Sequence, residues 1–584
     1  MAVLMTGNEA IARGAYEAGV SVAAGYPGTP STEILENIIQ YKEIYSQWSP
    51  NEKVALEVGV GASIAGGRTL VTMKHVGVNV AADPLFTMAY SGVNGGLVLI
   101  SADDPGMHSS QNEQDNRLYG KFAKVPVLEP SDSQEAKDFV KIALELSEQY
   151  DTPVILRTTT RVAHSQTLVE LGEPQPATIK PYQKDPKKYV MMPANARLRH
   201  VQVEAKLAAL TAAANTLPIN RIEWADRSLG IITSGFCYQY VKEALPQASI
   251  LKLGMTNPLP AQLIQEFAQG VERLVVVEEL EPFIEEQVAA MGIKVEGKNL
   301  FGNIGEINAQ MVATKLGGLG AEAETAATAE VVIDVSDIPV RPPVLCPGCP
   351  HRSVFYTLNQ LKAVVSGDIG CYTLGALPPL NAMDTTICMG ASIGAALGME
   401  KANPNLRGKV VAVIGDSTFF HSGITGLIDV VYNQGQSTVL ILDNSTTAMT
   451  GHQDHPSTGK TLQKEITHVV DIEGLVKAIG IQRVQVVDPF DMPNLKKVIA
   501  TEMATPEPSV IIARRPCALL LKGGATPYTV ESEVCISCRA CIKLGCPAIS
   551  GVGANITIDP NLCTGCGVCE QVCPVTAIKK VGDQ

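Results

Sequence analysis

Eight of the chain's 14 cysteines fall in its last fifty residues, in two runs that each end in Cys-Pro. The first is Cys535-x2-Cys538-x2-Cys541-x4-Cys546-Pro547, and the second is Cys563-x2-Cys566-x2-Cys569-x3-Cys573-Pro574. Thiolates at x2 spacing let one tight loop wrap three corners of an iron–sulfur cubane, and in paired sites the fourth cysteine ligates the other cluster. The pattern therefore assigns one [4Fe–4S] cluster to Cys535, Cys538, Cys541 and Cys573. It assigns the other to Cys563, Cys566, Cys569 and Cys546. The chemistry is transfer of single electrons. Cys-x2-Cys is also zinc spacing, but three cysteines in x2 steps, duplicated and followed by Cys-Pro, favour iron. The first run has x4 where x3 is usual, which enlarges a loop without removing a ligand.

A second set of residues offers hard oxygen. Gly415-Asp416-Ser417 and Asp443-Asn444-Ser445-Thr446 each follow an apolar stretch that reads as a buried strand. Ligands bind at that edge of an open α/β sheet. Asp416 and Asn444 stand 28 positions apart, one strand–helix–strand step, so adjacent parallel strand ends would bring them together. Mg²⁺ there would take few protein oxygens and complete its octahedron with phosphate and water. Gly415 permits close backbone approach. Gly390 and Gly394 open a helix whose N-terminus suits anionic oxygen. The pair resembles the thiamine diphosphate motif, Gly-Asp-Gly followed some 25–30 residues later by Asn, with Ser417 in place of the last glycine. On that resemblance the Mg²⁺ ligands are Asp416, Asn444 and the Thr446 carbonyl.

Thiamine enzymes also need a glutamate at the aminopyrimidine ring. Glu57, in Leu56-Glu57-Val58-Gly59-Val60-Gly61, is the expected acid, set at an apolar helix start. Glu52, in Ser-Pro-Asn-Glu-Lys, is expected to be solvated. Cys346-Pro-Gly-Cys349 has no second cysteine pair near it, so the expectation is a cofactor-lining loop, with Cys349 and His351 toward the cofactor. His351 serves equally as a partner for a backbone carbonyl, and the run Gly451–His455 reads equally as lining the active site or as a solvated turn. The other unassigned cysteines, among them Cys371 and Cys517, read mostly as small buried hydrophobes.

These residues need a scaffold. Helix patterning over Asn8–Ala18 alternates with short apolar strands at Val22–Gly25, Leu70–His75, Leu97–Ser101 and Pro153–Arg157. Such alternation predicts parallel sheets covered on both faces. Four segments follow: 1–190, 195–320, 344–520 and a cluster module at 525–584, whose fold is set by metal more than by a core. Gly172–Lys188 reads as a linker and Ala321–Pro343 as a connector. The whole is α/β with a small two-cluster module at the end.

Bulk properties narrow the class. The chain has 584 residues, 46% hydrophobic and 18% charged, with a net charge of −13. No basic field is available for nucleic acid. No apolar run is long enough for a membrane span, and Asn8, Glu9 and Arg13 follow the first residues where a secretory leader would need its apolar core. Cysteines in cluster spacing fit a reducing cytoplasm.

Taken together, the chain resembles the 2-oxoacid:ferredoxin oxidoreductase superfamily, and within it the alpha-subunit family of indolepyruvate:ferredoxin oxidoreductases. The supporting motifs are Gly25-Tyr-Pro-Gly-Thr-Pro-Ser-Thr32, Leu56–Gly61, Leu345-Cys-Pro-Gly-Cys-Pro-His-Arg352, Gly367-Asp-Ile-Gly-Cys371, Gly415–Ser417 and Asp443–Ser445. The resemblance spans nearly the whole length. It implies a pyrimidine-binding domain, a transketolase C-terminal-like domain, a diphosphate-binding domain and a ferredoxin module. It implies thiamine diphosphate, Mg²⁺, two [4Fe–4S] clusters and coenzyme A as co-substrate. It places Thr29 at the substrate carboxylate, and Gly390, Gly415, Ser417 and Thr446 around the cofactor. The arginine that related pyruvate enzymes carry after the strand near Ser101 is replaced by Ser-Ala-Asp-Asp-Pro, which implies a different substrate pocket. The implied activity is oxidative decarboxylation of an aryl pyruvate such as indolepyruvate to the acyl-CoA, with electrons passed to ferredoxin. A smaller beta subunit is implied, in an alpha–beta pair or its dimer. The alternatives are a different 2-oxoacid, a non-redox thiamine decarboxylase, or an electron-transfer subunit with inactive α/β domains.

Overall fold

Short runs of Val, Ile and Leu, too brief for helices and apolar on both sides, become strands buried on both faces. In the strand Leu97–Asp103 all seven residues are buried, and in Val410–Gly415 all six. The computed structural model describes residues 2–317, 341–521, 526–553 and 555–582. It divides into two compact units, 1–334 and 335–584. The connector expected over Ala321–Pro343 lies largely outside the described residues.

The first unit is built on a seven-stranded sheet. Its order is Met255–Asn257, Val127–Leu128, Val154–Thr159, Leu97–Asp103, Thr69–Lys74, Val22–Gly25, Tyr45–Trp48. All neighbours are parallel except Met255–Asn257, which pairs antiparallel at the edge. That edge strand comes from the segment expected to form a separate 195–320 domain. The rest of that segment forms a four-stranded sheet in the order Arg273–Val277, Asp226–Ser234, Ala248–Leu253, Arg221–Glu223. A buried ionic network ties the two sheets together. Arg117 meets Asp115 and, 2.6 Å away, Glu278; Arg157 lies 2.6 Å from Asp103 and 3.1 Å from Glu129. Breaking one partner of such a network strands a buried charge and costs about 3–5 kcal/mol.

The second unit carries a six-stranded, all-parallel sheet ordered Thr385–Thr386, Val364–Gly367, Val410–Gly415, Thr438–Asp443, Ser509–Arg514, Arg483–Val487. Side chains alternate across a strand, so Val411 and Val413 pack on one face with Phe355, Leu358, Leu495 and Ile499. Ala412 and Ile414 pack on the other with Ile393, Leu427, Ile472 and Val476. The cluster module adds two small antiparallel pairs, Tyr528–Val530 with Ile578–Lys580 and the hairpin Ile549–Val552 with Asn555–Ile558. No helix among the described residues is long and apolar enough to cross a membrane.

Candidate active site

In the second unit, the strands Val410–Gly415 and Thr438–Asp443 are parallel neighbours, with Gly415 opposite Leu442. Asp416 and Asn444 therefore leave the same carboxyl edge side by side. Asp416 is 2% exposed. Its Oδ1 accepts the Ser417 N–H at 2.8 Å, and its Oδ2 accepts the N–H groups of Asn444 at 3.1 Å and Ser445 at 2.8 Å. The Asn444 amide atom drawn as oxygen lies 2.9 Å from the Thr446 carbonyl and 3.2 Å from Asp416 Oδ1, facing only acceptors. With the amide's oxygen and nitrogen exchanged, both contacts are hydrogen bonds donated by Asn444. The Asn444 side chain thus stands within about one octahedral edge of both the Asp416 carboxylate and the Thr446 carbonyl, for Mg²⁺ bonds of about 2.1 Å. They are the donor set the thiamine resemblance implies. Hard oxygens, one of them charged, at a strand edge fit Mg²⁺ better than an amide donor would. His455 Nε2 lies 3.3 Å from Asp416 Oδ2, so the run Gly451–His455 folds over this loop instead of forming a solvated turn.

The helix N-terminus expected to hold a ligand's anionic oxygen is already filled. Asp368, fully buried, accepts the N–H of Gly390 at 2.8 Å and of Ser392 at 3.0 Å. Gly390 has φ 86°, a conformation glycine adopts freely, and lies against Ser422. Gly415 packs under the Tyr372 ring. His351 is buried and edge-on to Tyr372, and burial holds its imidazole down at about 4.

The cysteines sort into three groups. Cys535, Cys538, Cys541 and Cys573 line one cavity. Cys546, Cys563, Cys566 and Cys569 line another. Each cavity thus takes its fourth cysteine from the other run. Burial pushes the Cys569 thiol up to about 12, and its neighbours Cys566, Cys563 and Cys546 add to that. Thiols crowded in this way ionise together only around a cation.

The third group was not legible as a pair. Cys349 lies within electrostatic reach of Cys346 and Cys371, and Cys517 within reach of Cys346 and Cys371. Burial pushes Cys349 up to about 12 and Cys371 up to about 11, with the neighbouring thiols adding to both. Cys346-Pro-Gly-Cys349, expected to stand without a second cysteine pair, has thiols of other loops near it. Its partners come from loops after two other strands, Val364–Gly367 and Ser509–Arg514. Cysteines placed just past strand ends were the available signal. The Cys517 N–H donates to the Asn444 carbonyl at 2.9 Å, and Cys517 Sγ lies 3.8 Å from His452 Nε2. Cys349 also lines the cavity of Cys546, Cys563, Cys566 and Cys569. Arg352 binds the two elements together, donating to the Cys346 carbonyl at 3.0 Å and the Leu544 carbonyl at 2.9 Å.

In the first unit, Thr29 sits in a half-buried loop after the strand Val22–Gly25, where Gly28 N–H donates to Thr32 Oγ1 at 2.9 Å. The two glutamates exchange environments relative to expectation. The helix starts at Glu52, not Leu56, because the Asn51 side chain caps it by accepting the Val54 N–H at 2.9 Å. Glu52 is 5% exposed and its carboxyl lies against Gly77. Glu57, one and a half turns on, is about half exposed and pairs with Lys53.

The sequence matches three family models in order. Residues 13–213 match "Pyruvate flavodoxin/ferredoxin oxidoreductase, thiamine diP-bdg". Residues 368–513 match "Thiamine pyrophosphate enzyme, C-terminal TPP binding domain", and 556–579 match "4Fe-4S binding domain". An "Indolepyruvate oxidoreductase subunit IorA" from Archaeoglobus fulgidus is 44% identical, over 99% of this chain and 97% of its own length. Proteins of the same description from Pyrococcus horikoshii and Methanothermobacter thermautotrophicus are each 42% identical over the same shares. The chain belongs to the indolepyruvate:ferredoxin oxidoreductase alpha-subunit family. As a member it is an iron–sulfur-linked oxidoreductase subunit for thiamine-dependent oxidation of 2-oxoacids. The thiamine model encloses Asp416, Asn444 and Thr446, and the iron–sulfur model encloses Cys563–Cys573. The first cysteine run, with its x4 step, lies outside the matched residues.

Proposed function

We propose that this chain is the catalytic subunit of an enzyme that converts an aryl pyruvate, coenzyme A and two oxidised ferredoxins to the aryl acetyl-CoA, CO2, a proton and two reduced ferredoxins. The balance is two electrons and one proton per CO2 released. The observation that carries this reading is the convergence of the Asp416 carboxylate, the Asn444 side chain and the Thr446 carbonyl at one sheet edge, in a chain that also gathers the cysteines of its two terminal runs in fours. Thiamine diphosphate, when bound, supplies the electron sink that lets a 2-oxoacid lose CO2. Asp416, Asn444 and Thr446 would hold its Mg²⁺. Thr29 would meet the substrate carboxylate. Glu52 takes the aminopyrimidine role in place of Glu57, because it is the acid enclosed at the carboxyl edge of the first sheet. The cysteine groups would hold iron–sulfur clusters as single-electron carriers. Cys346, Cys349, Cys371 and Cys517 would hold the carrier nearest the oxygen site, since Cys517 is bonded to the Asn444 backbone. The aryl substrate and the existence of a partner subunit are supported by the names of the relatives, the smaller beta subunit is the expected partner, and thiol usage supports a reducing cytoplasm.

Two measurements test this. Anaerobic assay of the alpha–beta complex with a panel of 2-oxoacids is expected to show CoA-dependent ferredoxin reduction, fastest with aryl pyruvates. Preference for a small aliphatic 2-oxoacid would refute the substrate, and reduction without CoA would refute the product. Reconstituted alpha chain is expected to carry about 12 iron atoms, in three four-iron clusters. Cys371→Ser and Cys517→Ser are each expected to lower that to about eight. A wild-type content of eight, unchanged by either substitution, would remove the third cluster.

A further inference from the structure

Three lysines are buried among the described residues: Lys74, Lys137 and Lys252. Two are neutralised where they stand. Lys137 lies 3.0 Å from Glu17 and 2.7 Å from Asp138, and Lys252 meets Glu135. Lys74 has no carboxylate at ion-pair distance among the described residues. Its ammonium donates to the Ser109 carbonyl and to nothing else among them. An ammonium carries three donors, so two are uncommitted. Burying such a cation without a counter-ion is costly. Asp104 is near enough to act on it through space, but its carboxylate is already engaged by the Ser109 N–H and the hydroxyls of Ser110 and Thr160. Burial lowers the Lys74 amine to about 8, with Asp104 opposing, so it remains mostly charged at neutral pH.

Its position says what the charge is for. Lys74 is the last residue of its strand, at the carboxyl edge of the parallel sheet, where ligands bind. On one side its stem runs along the Tyr26–Thr29 loop: a Cβ on Gly28 would sit 3.0 Å from Lys74 Cβ and 3.8 Å from its Cδ. On the other side it pairs with Ala102, just before Asp103 and Asp104. That side is acidic, so an anion would approach from the Thr29 side. We infer that Lys74 supplies the positive charge that receives the carboxylate of the 2-oxoacid beside Thr29. This inference rests on the 2-oxoacid reading above. The competing anions in the same reaction are the phosphates of coenzyme A.

The test uses the anaerobic alpha–beta holoenzyme carrying Lys74→Met, which keeps the length of the stem. Thiamine diphosphate affinity, iron content and thermal stability are expected to be retained or improved, because an uncompensated buried charge has been removed. KM for the aryl pyruvate is expected to rise about 10–100-fold, the loss typical of a hydrogen bond to a charged group. KM for coenzyme A is expected to stay within about twofold. Inhibition by the uncharged 2-oxoamide of the same substrate is expected not to change. Lys74→Arg, which keeps the charge, is expected to recover part of the loss and serves as the second arm should the methionine variant fold poorly. An unchanged KM for the 2-oxoacid in both variants would overturn the inference, as would a rise confined to coenzyme A. A drop in melting temperature with unchanged KM would mark Lys74 as an anchor of the Ser109 loop and also overturn it. Failure of the larger reading is separate: the wild-type enzyme would then oxidise no 2-oxoacid at all.

Discussion

Asp416→Ala is expected to lower the affinity for thiamine diphosphate with Mg²⁺ by about 100-fold or more and to abolish 2-oxoacid oxidation at ordinary cofactor concentrations. The scale follows from what the carboxylate does. It is one of three oxygens meeting at the Asn444 side chain, and disturbing even the groups behind a metal's ligands typically costs 10–100-fold. It also accepts three backbone N–H groups, from Ser417, Asn444 and Ser445. Alanine strands those donors in a buried loop, so the turn that presents Asn444 and Thr446 loosens as well. Asp416→Asn keeps an acceptor but adds its own donors and removes the charge, and is expected to fall between. The check is anaerobic titration of cofactor-free enzyme with thiamine diphosphate and Mg²⁺, followed by calorimetry. Asp416→Ala binding within about threefold of wild type would show that the three oxygens do not meet at a cation.

The strands were readable because a strand buried on both faces is an unbroken apolar run. The reading of Val22–Gly25 matches the observed strand, and the apolar stretch read as a strand before Asn444 is the observed Thr438–Asp443. The edge strand Met255–Asn257 was not readable. It is three residues long, and its place depends on a neighbour, Val127–Leu128, far away in sequence. Asp416 with Asn444 was readable because one strand–helix–strand step makes them neighbours by topology alone. The two terminal cysteine groups were readable for a similar reason, since ligand spacing within a short metal-organised module leaves few arrangements. The group of Cys346, Cys349, Cys371 and Cys517 escaped because three separate loops contribute to it and only the folded sheet brings their ends together. Gly390 was misjudged as a free anion site because the acid that fills it, Asp368, follows a strand more than twenty residues earlier. Lys74 carried no signal at all, since a lysine at the end of an apolar strand looks like a solvated boundary until its surroundings are known.

Glu52 and Glu57 show how much turns on a single helix cap. Read as apolar periodicity, the helix seemed to begin at Leu56, which put Glu57 at its buried start. The Asn51 cap moves the start by a full turn, placing Glu52 in the first turn and Glu57 on the outer face beside Lys53. Glu52→Gln is therefore expected to reduce kcat by about 10²–10⁴-fold, the range for losing a positioned proton-transfer group. Glu57→Gln is expected to stay within about twofold of wild type, because it loses only a surface pair. Both substitutions keep the shape of the side chain, so both proteins are expected to retain their iron and melting temperature. The sharper readout is exchange of the thiazolium C2 proton with deuterated water, measured by quenched-flow NMR on the holoenzyme. It is expected to slow in Glu52→Gln and not in Glu57→Gln, independent of the electron carriers. The reverse pattern would return the role to Glu57 and would mean that burial at the sheet edge is not what selects the acid.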